Sequence, residues 1–236
     1  MLRREIVARS PWRILEKAIQ GGLKAGEIGA LAGRKGVGKT ACLVHLATYN
    51  LLQEKPVIHV SYARRVDYIL TWYEDIFNQI ARRRQIPPEK TEELFNSLVR
   101  HRVIMNFKHD ATQTSKVLQS ITAMMSAGDF PAELIIVDGY NFSTGSPEEL
   151  ALFRDFARRV KTSLWFSVSL PPEEPVFEAD GWPVHLKAYH QVFDVVLAMR
   201  FVSGHVALSV VKNRDFPPAG VLPVGFDPQS LLVVEK

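Results

Sequence analysis

Between residues 33 and 40 the chain reads Gly33-Arg34-Lys35-Gly36-Val37-Gly38-Lys39-Thr40, a spacing of glycines, lysine and hydroxyl that suits the binding of a polyphosphate. Glycines let the backbone turn tightly, so that successive N–H groups and the positive end of the following helix face phosphate oxygens. Lys39 is then placed to reach the β- and γ-phosphates, and Thr40 to ligate Mg2+, which prefers hard oxygen ligands and retains several waters. Residues Gly33 through Thr40, with Ala41 beyond them, are therefore the candidate nucleotide-binding residues. A turn that served packing alone would have no use for Lys-Thr at the start of a helix.

A second landmark is the apolar run Leu134-Ile135-Ile136-Val137-Asp138. It delivers a carboxylate to the carboxyl end of a strand, where open α/β sheets bind their ligands. An acid after a strand is common, but about a hundred residues downstream of such a loop it fits a magnesium-holding aspartate. Thr40 and Asp138 are thus the expected metal ligands, Asp138 acting through water.

These residues need a frame, and the periodicity supplies one. Glu27 to Ala32 reads as a buried strand before the loop and Ala41 to Leu52 as the helix after it. Further strands are expected at 56–61, 103–107, 132–138 and 163–170, alternating with helices near 66–80, 88–100, 115–127 and 147–161. Ser146-Pro147-Glu148-Glu149 predicts a helix start with a capping box. The chain then reads as antiparallel strands at 192–202, 205–212, 221–226 and 231–234, with a turn at Ser203-Gly204. The expected fold is α/β, a mostly parallel sheet flanked by helices and extended by an antiparallel edge. Residues 1–22, with an amphipathic helix from Pro11 to Gln20, read as an arm before one domain spanning 23–236.

The chain has 236 residues, 47% of them hydrophobic, enough to bury the core of one large domain. A net charge of +4 permits contact with nucleic acid without requiring it. The sole cysteine, Cys42, excludes a disulfide within the chain. No segment approaches a signal peptide or a membrane span, so a cytoplasmic protein without a membrane partner is expected.

The same residues resemble the RecA superfamily of P-loop NTPases, most closely the carboxyl-terminal motor domain of DnaB-type replicative helicases and the KaiC-like ATPases. The resemblance rests on Gly22-Leu23-Lys24-Ala25-Gly26-Glu27-Ile28, on the glycine-rich loop and on Leu134 to Asp138. It continues in Val192 to Arg200 and in Val211-Lys212-Asn213-Arg214, followed by Pro217-Pro218-Ala219-Gly220. It implies a RecA-like fold, ATP and Mg2+ as ligands, and homo-oligomers such as a hexameric ring or filament with nucleotide at the subunit boundaries. It also implies that Lys212 and Arg214, of the form K-x-R, reach the γ-phosphate bound by a neighbour, where a cation supplied in trans neutralises developing charge. Lys39, Asp138, Lys212 and Arg214 are therefore the candidate catalytic residues. Lys212-Asn213-Arg214-Asp215 lacks the order of a guanine-recognition run, which favours ATP over GTP.

Two departures from the family pattern bear on activity. The glutamate that orients attacking water in these ATPases follows the second strand, and here that segment reads Ser61-Tyr62-Ala63-Arg64-Arg65 with no carboxylate before Asp67. Of the loops that face DNA in the helicases, Tyr140 to Gly145 holds no lysine or arginine. Pro171 to Ala188 holds Glu173, Glu174, Glu178 and Asp180 against Lys187. Strand affinity is dominated by cations on phosphates, so nucleic acid is not the favoured partner. Basic clusters lie elsewhere, at Arg82-Arg83-Arg84 and Arg100-His101-Arg102. The expectation is an ATP-binding assembly or regulatory protein with weak or absent hydrolysis. Its rivals are an active DNA helicase or translocase, and a scaffold that has lost nucleotide. A positioned base contributes about two to four powers of ten in rate, so Ala63→Glu is expected to raise steady-state turnover. An unchanged rate in that variant would show that the missing carboxylate is not what limits hydrolysis.

Overall fold

The computed structural model describes residues 2–62, 67–107, 113–202 and 205–235. The chain opens with two short helices, α1 (Leu2–Ala8) and α2 (Trp12–Ala18), and then enters β1 (Ile28–Arg34). From there strands and helices alternate as α3 (Lys39–Leu51), β2 (Val57–Ser61), α4 (Asp67–Arg83), α5 (Pro88–Val99), β3 (Arg102–Asn106) and α6 (Thr114–Ser126). Next come β4 (Leu134–Asp138), α7 (Pro147–Val160), β5 (Ser163–Leu170), β6 (Val195–Val202), β7 (His205–Asn213), β8 (Gly220–Asp227) and β9 (Leu232–Glu235).

All these strands join one sheet in the order β3-β2-β4-β5-β1-β6-β7-β8-β9. Pairing is parallel from β3 across to β6 and antiparallel from β6 to β9. The protein is thus α/β, with a mostly parallel central sheet flanked by helices and antiparallel strands at its carboxyl-terminal edge. Strand β6 departs from the sequence expectation. It was expected to be wholly antiparallel, yet it pairs parallel with β1 on one side and antiparallel with β7 on the other. Its hydrophobic run fits a strand buried on both faces beside β1.

The period-2 alternation of strand side chains divides the core between two faces. Leu31, Leu134, Ile136 and Trp165 pack with α3 and α4 on one face. Ile28, Ala30, Ile135, Val137, Phe166 and Val168 pack with α7 on the other. Asp138 has the parity of Ile136, which turns it towards α3. On the second face Phe153, Phe166, Phe142 and Phe193 form an aromatic cluster, edge-to-face around Phe166 and tilted between Phe142 and Phe193, with Phe153 and Phe166 centroids 5.1 Å apart. Helix α7 starts on the expected capping box: Glu149 N–H donates to Ser146 Oγ, and Ser146 N–H donates to the Glu149 carboxylate, both at 3.3 Å.

Two elements were not anticipated. Helix α1 was not read from the sequence, because seven residues carry too little periodicity. The stretch read as a loop from Pro171 to Ala188 contains the start of a 3-10 turn at Val184–Tyr189, whose Leu186 and Tyr189 are buried. The amino-terminal residues also do not stand apart as an arm. Trp12, Leu15 and Ile19 are almost fully buried in the same cluster as α3 and α4. Among the described residues no helix is long and apolar enough to cross a membrane. The proposed turn at Ser203-Gly204 lies outside the described residues.

Trp12 is packed as a core residue, so Trp12→Ala is expected to destabilise the whole chain by about 3–5 kcal/mol. Urea unfolding followed by both fluorescence and circular dichroism would measure it. A loss below about 1 kcal/mol would mean that the amino-terminal helices are dispensable to the core.

Candidate functional site

Strand β1 ends at Arg34 and α3 begins at Lys39, so the glycine-rich loop is the whole connection between them. Gly36 and Gly38 take left-handed φ values of +84° and +97°, which a side chain would disfavour. Gly38 has a second constraint, since a Cβ there would run into the ring of Phe226 from β8. The first intrahelical bond is Cys42 N–H to Gly38 O, at 2.9 Å. The N–H groups of Lys39, Thr40 and Ala41 therefore have no carbonyl one turn back within α3 and stand at its positive end.

The Lys39 side chain folds back over the loop. Its Nζ donates to the carbonyls of Gly33 at 3.0 Å and Arg34 at 2.9 Å. Lys39 is only 7% exposed, and this desolvation pulls its pKa down to about 8 against the opposing pull of the Asp138 carboxylate. The Thr40 hydroxyl donates to Asp138 Oδ2 at 2.9 Å. Residues 98 positions apart in sequence thus meet at the carboxyl ends of β1 and β4. The loop after Asp138 is tied down as well: Gly139 N–H donates to Ser167 Oγ of β5 at 2.9 Å. Tyr62 N–H donates to Asp138 O at 2.9 Å.

These groups line a cleft of about 1190 Å3, whose walls include Tyr62, Trp72, Tyr140 and Phe226. Tyr68 and Phe201, at 66% and 68% exposure, also line it. The chemistry is that of an anion cradle: helix N–H groups, the Lys39 ammonium with Lys35 also on the lining, and two hard oxygens at the mouth, beside apolar walls. Among the described residues no group of three or more His, Cys, Asp or Glu side chains could hold a metal by themselves. The Thr40 hydroxyl and Asp138 carboxylate suit a cation that draws its remaining ligands from water and phosphate, as Mg2+ does.

Other residues singled out in the sequence are placed differently. Arg34 forms an ion pair with Glu174, so its side chain is turned to the acidic 171–188 stretch while its carbonyl holds Lys39. Lys212 donates from Nζ to the His190 carbonyl at 2.5 Å, and burial, aided by Arg154, outweighs the opposing pull of the Asp194 and Asp215 carboxylates and leaves its pKa below the ordinary lysine value.

Arg214, expected to reach the γ-phosphate of a neighbour, makes its contacts here within its own chain. Its Nε and Nη2 grip the Glu27 carboxylate at 2.7 and 2.6 Å. Nη1 donates to Ile19 O at 2.8 Å and Asn213 Oδ1 at 2.9 Å, and Nη2 also donates to Gly22 O at 2.6 Å. All three guanidinium nitrogens are thus engaged within the subunit, by a carboxylate and by neutral acceptors near the end of α2. Burial alone would raise the Glu27 carboxyl, but Arg214 and the Lys24 N–H outweigh it and hold its pKa below the ordinary value. The Ala63-Arg64-Arg65 part of the segment lacking a glutamate lies outside the described residues.

Sequence reasoning missed Ser167 and Phe226. Ser167 and Ser169 interrupt the apolar run of β5 two residues apart at its carboxyl end, an alternation that could have flagged Ser167 as facing the site. Phe226 had no such signal, being brought to Gly38 only by strand order. No protein-family model and no curated protein sequence matches the chain.

The loop's left-handed glycine beside an aromatic ring gives a direct test. Gly38→Ala is expected to cost about 2 kcal/mol or more, combining the backbone penalty with overpacking against Phe226. Chemical denaturation would read the loss, and a variant as stable as the parent would refute this packing.

Proposed function

We propose that the chain is a RecA-like protein that binds ATP with Mg2+ and self-associates with nucleotide at its subunit boundaries. Its hydrolysis is weak or absent and its role is nucleotide-dependent assembly or regulation. The observation that carries the nucleotide reading is the convergence at one sheet end of the free N–H groups of α3, Lys39 Nζ, and the Thr40 hydroxyl 2.9 Å from Asp138. In this reading the loop N–H groups and Lys39 hold the phosphates, while Thr40 and Asp138 hold Mg2+. Bound there, the cation would screen charge between the β- and γ-phosphate oxygens. The apolar wall of Tyr68, Trp72 and Phe201 suits the remainder of a nucleotide.

The assembly half of the proposal rests on the family resemblance and on Lys212, whose single hydrogen bond to a carbonyl leaves two ammonium donors for another acceptor. Arg214 has no part in it while it grips Glu27. The weak-hydrolysis half rests on the absence of a carboxylate between Ser61 and Asp67. Against a DNA motor, Glu174 and Arg34 neutralise each other beside the loop and Lys187 is paired with Glu178 at 3.3 Å.

Calorimetric titration with Mg·ATP tests the binding. Removing the ammonium in Lys39→Ala is expected to weaken affinity tenfold or more, about 1.4 kcal/mol. The proton balance supplies an internal check. Lys39 starts near pKa 8 and phosphates stabilise its charged form, so binding raises its pKa. Affinity is then greatest below pH 8 and falls as pH rises through and above that value, with a proton taken up from buffer near pH 8.5. Equal affinity in parent and Lys39→Ala would overturn the nucleotide reading.

A further inference from the structure

A second cleft lies away from the glycine-rich loop, where α1, α3, α4 and β9 meet. Its volume is about 420 Å3, within the range of small-ligand sites. Helix α3 separates the two sites: Lys39 at its start belongs to the first, while His45, Tyr49 and the following Leu52 line the second. The floor is apolar, formed by Ile6, Leu52, Ile80 and Leu232, and the rim carries Arg9, Arg83 and Arg84. Among the described residues Glu235 is the only acidic one lining it.

The cationic rim is incompletely neutralised. Arg9 pairs with Glu5 at 3.4 Å, and Arg84 spends one N–H on the Arg9 carbonyl. Arg83 makes no side-chain hydrogen bond or close ion pair among the described residues, and the Asp227 carboxylate, whose pKa it helps to lower, acts on it from a distance. Burial and then the charges of Arg83 and Arg9 lower the Arg84 pKa against the opposing pull of the Glu235 and Glu5 carboxylates, so like charges meet here with only partial compensation. Basic residues in the last turn of α4 also offset that helix's dipole. This accounts for Arg82 and Arg83, but not for Arg84, which reaches across to the Arg9 carbonyl beyond α1 and so gathers the two arginines at one rim. His45 adds a fixed donor. Its Nδ1 accepts the Val233 N–H at 3.0 Å, so the neutral ring carries its proton on Nε2. Burial, aided by Arg83, holds its pKa down to about 3, so the ring is neutral in the ordinary pH range.

We propose that this cleft binds a small organic anion with an apolar body, its head on Arg83, Arg84 and Arg9 and its body against Ile6, Leu52, Ile80 and Leu232. A bare inorganic anion would satisfy the arginines but leave the apolar floor wet, and a nucleic-acid backbone offers no apolar group to fill it. The inference is independent of the nucleotide reading.

The test uses the whole chain with two probes, decanoate and inorganic phosphate, followed by calorimetry and by amide shifts of His45 and Val233. Decanoate is expected to bind saturably below about 1 mM and to shift both amides, with inorganic phosphate binding about tenfold weaker or less. Arg83→Gln and, separately, Arg84→Gln should each weaken decanoate about tenfold, with Arg83→Lys recovering part of the loss. Thermal unfolding verifies that the variants are folded, and the exposed Arg83 makes its variant the safer of the two. Saturating Mg·ATP should not compete. Absence of saturable decanoate binding would overturn the proposal. So would binding indifferent to both glutamine variants, phosphate binding as tightly as decanoate, or shifts confined to residues 33–41.

Discussion

The parallel register of β1, β5 and β4 is the constraint on which the site depends. Ile28 to Arg34 of β1 run beside Leu164 to Leu170 of β5, and Leu134 to Val137 of β4 run beside Ser163 to Phe166 on the other side. These pairings bring the ends of β1 and β4 to one edge with β5 between them. Thr40 then reaches Asp138 from one side, and Ser167 fastens Gly139 from below. A register slip of one residue would turn Asp138 to the opposite face, away from α3. Burial of both sheet faces makes that slip costly, because Ile135 and Ile136 are fully buried on opposite sides and would have to exchange surroundings.

Much of this was legible in the sequence because the informative patterns are local. The glycine-rich loop, the carboxylate after Val137 and the capping box of α7 each occupy fewer than ten residues, and each determines its own backbone geometry. Most strands and helices fell close to their expected positions for the same reason. What was not legible depends on partners distant in the chain. Nothing near Val195 says that β6 will lie parallel to β1, and nothing near Arg214 says that Glu27, 187 residues away, will claim its guanidinium. The resemblance assigned Arg214 by its place in a motif, whereas its hydrogen bonds follow from where α2 ends.

That last contact also explains why residues 1–22 are integral to the fold. Arg214 binds the Ile19 and Gly22 carbonyls just beyond α2, satisfying acceptors at a helix end that would otherwise need water. Glu27 supplies the opposing charge, and both side chains are largely buried, at 11% and 19% exposure. Removing one member of such a pair leaves the other charge unpaired and costs about 3–5 kcal/mol. Arg214 is thereby committed to joining the amino-terminal helices to β7. Any cation offered to a neighbouring subunit from this region has to be one with donors to spare, and Lys212 meets that condition.

Lys39 is in the opposite situation. Its ammonium is desolvated without a direct carboxylate partner, held only by two loop carbonyls, so its pKa of about 8 records an unfavourable free energy of the protonated state in the unliganded fold. An anion in the loop would relieve that cost by supplying the missing countercharge. It would also accept the N–H groups at the start of α3, which the helix itself cannot satisfy. Left-handed glycines, the Phe226 ring and the two Lys39 bonds constrain the shape of the loop from within the fold. Little ordering entropy would then remain to be lost in the loop if an anion bound there.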